Sequence, residues 1–307
     1  MLEIVSKRYW FFGLSLLVIV PGLIGLAIWG LPLAIDFTGG SLLEVHFESG
    51  VAPQPAEVVS LYDEFAVGDV LVQSAGTSDL AVRSKPIDEA TKNRLVEAMQ
   101  TRFESQVSVL RFELVGPSVG AEVAKRAAGA VGLAALGILL YITYAFRGVT
   151  HAVRYGVAAI IAMIHDVAVV IGVEAILGHF LGWEVDALFL TALLTVIGFS
   201  VHDTIVVFDR IRENQTIYRR LDFETLVNHS IVQTLDRSIN TQLTVMFTLL
   251  ALLLFGGVTT RHFVTVLLVG VFSGTYSSIF NAAPILIVWE KREWRTWFRG
   301  EPIEVAP

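Results

Sequence analysis

Two aspartates stand where an ionised side chain is costly. Asp166 lies in Ile164-His165-Asp166-Val167 and Asp203 in Phe199-Ser200-Val201-His202-Asp203-Thr204, each within a long apolar stretch. A carboxylate in hydrocarbon is by default a candidate for proton or ion transfer, facing a bundle interior or a water path. Arg237 opens a later apolar stretch, ahead of Thr241 and Thr244. As a counter-charge it would make the protonation of Asp203 switchable, although so long a side chain can also snorkel to the interface. Asp166 has an equally good structural reading, because His165 or a neighbouring threonine can satisfy it. His202 points to a different face of its helix from Asp203 and is expected to make an interhelical hydrogen bond. Glu174, near the end of its stretch, is expected to be hydrated.

The elements that must position these groups follow from composition. The chain has 307 residues, 54% hydrophobic and only 17% charged, against about 25% charged in a typical soluble domain, and its mean hydropathy is +0.65. A net charge of −7 excludes a broadly basic nucleic-acid binder. The absence of cysteine excludes a disulfide scaffold, Cys-ligated zinc and a thiol nucleophile. Crossing about 30 Å of hydrocarbon takes roughly 20 apolar residues. Six stretches qualify, approximately 10–31, 122–146, 155–177, 187–209, 238–256 and 262–288. The first is read as a retained anchor, being too long for a signal-peptide core and lacking a small-residue cleavage site before Asp36. With the N-terminus inside, the short inner segments hold thirteen Lys and Arg residues from Lys7 to Arg299, and the short outer loops hold only Arg261. That asymmetry predicts cytoplasmic termini.

Residues 36–119 carry the polar remainder, 13 acidic and 6 basic side chains. Ser41–Phe47 reads as a strand and Ala56–Phe65 as a helix started by Pro53 and Pro55. Asp69–Gln73 and Asp79–Arg83 read as strands joined through Gly76, Ile87–Phe103 as a helix and Gln106–Val115 as a last strand. The order β-α-β-β-α-β is the ferredoxin-like split unit. The predicted organisation is therefore residues 1–35 (N-terminus and first span), an extracytoplasmic ferredoxin-like α+β domain over 36–119, spans two to six over 120–290, and a tail over 291–307. The fourth helix is expected to run past the bilayer to Asn214. A cytoplasmic amphipathic segment is expected over 210–237, with a helix over Phe223–Leu235 lying along the inner interface and started by Asp222. Gly270-x-x-x-Gly274 in the sixth span, and Ala124, Ala128 and Gly132 in the second, match the small-residue pattern of closely approaching helices.

Several of these strings carry a family resemblance. Gly198–Asn214 (GFSVHDTIVVFDRIREN) resembles the fourth-span signature of the SecD/SecF family of protein-export membrane proteins. So do Asp36-Phe37-Thr38-Gly39-Gly40, Val115-Gly116-Pro117-Ser118-Val119-Gly120, Leu235-Asp236-Arg237-Ser238 and Gly274-Thr275-Tyr276-Ser277-Ser278. The match runs through the whole chain in order. The resemblance implies half of a transporter of the resistance-nodulation-division type, completed by SecD in the plasma (inner) membrane. It implies use of the proton gradient, with no cofactor or metal, to finish export of unfolded preproteins that the SecYEG channel and SecA have begun to move. It also implies Asp203 as the proton-carrying carboxylate, Arg237 as its functional partner and Asp166 as a secondary member. His165, His202, Thr204, Asp36, Gly39 and Gly40 are supporting motif residues. Family members often carry Asn or a similar residue where this chain has His202. The double glycine also has a physical use, a sharp turn where the chain leaves the bilayer.

Two other readings compete. An intramembrane aspartyl protease would use Asp166 and Asp203 as a dyad, but the sequence lacks the Gly-x-Gly-Asp setting of such enzymes. A stand-alone small-molecule exporter would need a twofold internal repeat, which is not visible at this length.

Overall fold

The computed structural model describes residues 3–149 and 151–295. Arg299 and the rest of the tail beyond Arg295 lie outside them. The chain divides into two compact units, one of membrane-type helices and one centred on residues 32–129 with the short segment 184–187.

In chain order the helices and strands are α1 (Arg8–Trp29), α2 (Ile35–Thr38), β1 (Gly40–Phe47), α3 (Pro55–Glu64), β2 (Leu71–Ser74), β3 (Asp79–Ser84), α4 (Glu89–Arg102) and β4 (Val107–Val115). They continue as α5 (Pro117–Ala145), α6 (Ala152–Leu181), α7 (Ala187–Ile217), α8 (Phe223–Phe255), α9 (Val258–Ser277), a π-helical turn (Ser278–Ala282) and α10 (Ala283–Glu290). Among the described residues six helical segments are long and apolar enough to cross a membrane. The chain is a multi-pass membrane protein with a small α+β domain.

In that domain the strands pair antiparallel in the order β2-β3-β1-β4, the ferredoxin-like arrangement. Alternate residues of β1 (Leu43, Val45, Phe47) and β3 (Leu80, Val82) are buried against Val58, Leu61 and Tyr62 of α3 and Leu95 and Met99 of α4. This is the period-2 face meeting two amphipathic helices. The helix starts follow their sequence signals. Pro55 occupies the first turn of α3, where Gln54 and Glu57 form a capping box. The Asp88 side chain accepts from the Thr91 N–H at 2.9 Å and caps α4. Strand β2 starts at Leu71, two residues later than the pattern predicts, because Asp69 is in the left-handed region at φ 55°. The Tyr62 hydroxyl is buried in this core without a hydrogen-bond partner, and burial pushes its pKa up.

The membrane unit is built on close helix crossings. A Cβ on either Gly22 of α1 or Gly172 of α6 would lie 2.7 Å from the other's Cα, so both glycines are needed where the helices cross. Gly270 and Gly274 of α9 sit on Val196 and Ser200 of α7, and a Cβ on Gly274 would come within 3.0 Å of the Ser200 side chain. The predicted small-residue face of the sixth span therefore has a defined partner. On the second span, Gly132 and Gly137 of α5 meet nothing within 4 Å among the described residues. At one end of the unit Arg8 is buried between Glu224, 2.7 Å away, and Glu293. The Ile4 and Val5 amides share Asn228 Oδ1 there at 2.9 and 3.2 Å.

One expectation is corrected. Phe223–Leu235 is not a separate interfacial helix but the first third of α8, one unbroken helix of 33 residues. Neither Gly nor Pro interrupts it, and Leu226, Ser230, Thr234, Ser238 and Gln242 form a buried stripe at intervals of four. At about 1.5 Å per residue, α8 is roughly 50 Å long and exceeds the hydrocarbon thickness. Arg237 is accordingly mid-helix. The π-turn precedes Pro284, whose ring and missing N–H interrupt a regular α-helical ladder.

Two substitutions test the packing. Gly172→Ala forces α1 from α6 and is expected to cost about 1–3 kcal/mol, read as a lower thermal midpoint in detergent, whereas Gly137→Ala in open space leaves the midpoint within error. Tyr62→Phe removes an unsatisfied buried hydroxyl and is expected to be neutral or stabilising. Because the buried phenol has a raised pKa, its contribution is fully present below the unfolded tyrosine value of about 10 and lost as pH rises beyond it. The variant should therefore resist alkaline unfolding better than the parent.

Candidate functional site

The polar groups of the membrane unit gather where α6, α7 and α9 meet. On α6 the buried stripe Ala159, Ala162, Asp166, Val169 and Val170 carries one carboxylate, and Glu174 continues the same face one turn beyond Val170. On α7 the stripe Val196, Ser200, Asp203, Thr204, Val207 and Ile211 carries the second aspartate. Each aspartate points into protein because its position falls on the face that hydrophobic packing buries.

Asp166 is completely buried. Its Oδ2 accepts from Ser200 Oγ at 2.5 Å and Ser277 Oγ at 2.7 Å, and its Oδ1 accepts from Ser273 Oγ at 2.7 Å. His165 Nδ1 lies 3.0 Å from Oδ1, and its Nε2 lies 3.0 Å from Ser15 Oγ on α1. Asn281 Nδ2, in the π-turn, donates to the same Ser15 hydroxyl at 2.9 Å. This network ties α1, α6, α7, α9 and the π-turn together through one carboxylate. Thr204 extends it: its hydroxyl is 2.9 Å from Ser278 Oγ, which also donates to the Ser200 carbonyl at 3.0 Å.

Asp203 lies one turn beyond Ser200, only 3% exposed. Its Oδ2 accepts a hydrogen bond from Gln242 Nε2 of α8. The other end of that amide, Gln242 Oε1, is buried without a partner among the described residues, as is the neighbouring Ser238 hydroxyl. Asp166 and Asp203 share no hydrogen bond; each has its own partners.

Asp203 and Arg237 form no direct ion pair, although the Arg237 charge still acts on the Asp203 carboxylate from farther away. Arg237 is exposed and forms no ion pair among the described residues. The cause is helical phase: Ser238 and Gln242 lie on the buried stripe of α8, and Arg237, one residue before Ser238, is turned about 100° away from it. His202 is likewise exposed and makes no hydrogen bond among the described residues, against the interhelical bond expected of it. Glu174 corrects the sequence reading in the other direction. It is 1% exposed, with Oε2 3.0 Å from His262 Nε2 of α9. Gln242 was missed, although a glutamine inside an apolar stretch and four residues from a serine was the available signal.

The remaining motif residues belong to the smaller unit. Gly39 and Gly40 have φ of 73° and 132°, backbone that L side chains rarely adopt. A Cβ on Gly39 would also lie 2.7 Å from Pro117 Cα, and one on Gly120 would lie 2.7 Å from the Gly39 nitrogen. The strings Asp36–Gly40 and Val115–Gly120 therefore interlock backbone against backbone. Asp36 Oδ2 accepts from the Ala187 amide at 2.9 Å, a carboxylate at the first turn of α7. Nearby, Glu184 is paired with Arg83 at 2.8 Å. Burial pushes its carboxyl above the usual range, with Arg83 opposing the shift.

The family description "Protein export membrane protein SecD/SecF, C-terminal" matches residues 95–292, and "SecD/SecF GG Motif" matches residues 24–51. A protein named protein translocase subunit SecF from Anaerolinea thermophila is 62% identical over 97% of each chain. One of the same name from Thermobaculum terrenum is 50% identical over 100% of this chain and 99% of its own. The crystal structure of SecDF, a translocon-associated membrane protein from Thermus thermophilus, superposes with a TM-score of 0.82 at 33% identity. It covers 95% of this chain, which spans 39% of the SecDF chain.

Asp166→Ala tests the network. It leaves the Ser200 and Ser273 hydroxyls in an apolar setting without their acceptor, at about 1–3 kcal/mol for each group left unsatisfied, while Ser277 retains the Gly274 carbonyl at 3.2 Å. The thermal midpoint in detergent is expected to fall well below that of Ser277→Ala, which removes only one of the donors.

Proposed function

The chain belongs to the SecD/SecF family, and from that premise we propose that it is the SecF subunit of Sec protein export, driven by the proton gradient. Asp203 is the group that takes up and releases the proton, and Arg237 is its functional counter-charge. SecD is the obligate partner, and the pair acts on unfolded preprotein that SecYEG and SecA have begun to move. The protein resides in the plasma membrane with both termini cytoplasmic, and the α+β domain faces outward. It does no covalent chemistry. The aspartyl-protease alternative finds no support, since its two aspartates are not hydrogen-bonded to each other.

The observation that carries this reading is the contrast between the two aspartates. Asp166 is bound by three hydroxyls from two helices and serves as a fixed anchor. Asp203 has one amide donor, and that amide keeps a buried oxygen without a partner. Loading a proton on Asp203 supplies the missing donor: the acid O–H can bind Gln242 Oε1 while Gln242 Nε2 still donates to the acid. Releasing the proton removes that bond and leaves a charge that needs a cation. Switching between these two pairings moves α8 relative to α7. One proton crossing 100 mV supplies about 2.3 kcal/mol, enough to bias two arrangements by roughly 50-fold.

A second observation supports the obligate partner. His202 on α7 and Arg237, Asn240, Thr241 and Thr244 on α8 are all exposed on membrane-spanning helices. Polar and ionisable groups at that depth face protein or water rather than lipid. A second set of helices against this face both covers them and completes the route to Asp203.

Asp203→Asn in the purified complex with SecD, reconstituted in vesicles at normal abundance, is expected to abolish the part of preprotein export that depends on the proton gradient. Export driven by SecA alone should be unchanged. Undiminished gradient-dependent export would refute the assignment.

A further inference from the structure

The Glu174–His262 pair is a buried ionisable site that the mechanism above does not use. Glu174 lies two turns before the end of α6 and His262 in the second turn of α9. Both stand at helix ends on the side of the bundle where α6 passes to α7 and α8 to α9. Glu174 Oε2 is 3.0 Å from His262 Nε2, and its other oxygen, Oε1, is buried with no hydrogen-bond partner among the described residues. The imidazole is packed beside Trp183 and Phe189, with ring centroids 4.8 and 6.3 Å away.

Glu174 also lines a cavity of about 10 Å³ between α6 and α9, at the lower limit of what holds one water. Glu174 and Thr265 are its polar lining groups, and Val170, Val173, Val266 and Val269 form most of the rest. The same two helices carry Asp166 with Ser273 and Ser277. Asp166 precedes Glu174 by eight residues, about 12 Å along α6. One interface therefore holds a carboxylate–imidazole pair towards its end, a small cavity beside the carboxylate, and a second buried carboxylate farther along α6.

We propose that Glu174 and His262 form a separate proton-loading station at the outer end of the α6–α9 interface. This rests on the proton-driven reading of the chain. Whichever partner holds the shared proton, Oε1 keeps a lone pair with no donor, and an incoming proton adds there. The proton later leaves from the same pair inward along the α6–α9 interface, so nothing else is consumed. Few other charges compete. Arg261 beside His262 is exposed, and His179 on α6 stacks on Trp29 of α1 at 4.3 Å. The linker before α7 carries Glu184, already paired with Arg83, and Asp186. The half of α8 after Arg237, up to Gly257, has no charged residue. Neither does α1 after Arg8.

The test uses the complex with SecD in vesicles, measuring gradient-driven preprotein export against outer pH at fixed inner pH and equal membrane potential. Glu174→Gln keeps an acceptor for His262 but cannot titrate. It is expected to lower export by roughly 10- to 100-fold, up to the lower end of what a positioned proton-transfer group contributes, and to flatten the outer-pH profile. Glu174→Asp restores a titrating profile with a displaced midpoint. His262→Gln, which still donates to Oε2, also flattens the profile and serves if Glu174→Gln does not accumulate. An outer-pH profile unchanged from the parent in both Gln variants would overturn the proposal and leave a structural contact only. Asp203→Asn, run alongside, separates the two ideas. If it abolishes gradient dependence while the Glu174 and His262 variants match the parent, the station fails and the Asp203 assignment stands. If it leaves gradient dependence intact, the underlying reading fails.

Discussion

Three serine hydroxyls converging on one buried carboxylate hold the membrane unit in register. Asp166 has no water to solvate it, so its oxygens must be satisfied by protein. The donors come from α7 and α9, while His165 reaches Ser15 of α1. Those bonds require close approach, and close approach requires the glycines at the crossings, Gly270 and Gly274 against Val196 and Ser200 and Gly22 against Gly172. Small residues and hydroxyls are thus parts of one device. Backbones come near enough for short side chains to reach the carboxylate.

That anchored core makes the looser neighbourhood of Asp203 meaningful. Ser200 binds Asp166, and Asp203 follows one turn later on the same rigid helix. Its contact to α8 runs through a single amide with an unsatisfied oxygen. Helix α8 is continuous from Phe223 to Phe255, so a shift at Gln242 is carried directly to Glu224, which grips Arg8 near the chain's start. The sequence reading placed a separate interfacial helix there. A continuous rod transmits movement between the membrane level and that end with fewer joints.

Much of this is legible in the amino-acid sequence alone. Six apolar stretches and the strand and helix order of the α+β domain rest on local periodicity, which a single sequence carries directly, and Pro55 marks the start of α3. The domain's strand pairing followed, because the ferredoxin-like order leaves few alternatives. Asp166, Asp203 and the double glycine were also found, since charge in an apolar run and paired glycines are conspicuous. What escaped depends on helical phase and on partners distant in sequence. Charge alone suggests Arg237 as the neighbour of Asp203, but only helical phase shows that Gln242 makes the direct contact while Arg237 acts from farther away. Glu174 looked hydrated because it lies near a helix end, and only the return of α9 brings His262 against it. The Asp36–Gly40 and Val115–Gly120 strings were noted separately, though they touch.

The central claim is that Asp203 changes protonation while Asp166 stays a fixed anchor. Infrared difference spectra of the purified complex with SecD, recorded across a pH step, report the carbonyl stretch of carboxyls that gain a proton. The account predicts a pH-dependent carboxyl band that disappears in Asp203→Asn and persists in Asp166→Asn. A spectrum unchanged by Asp203→Asn, or a band lost only in Asp166→Asn, would contradict it.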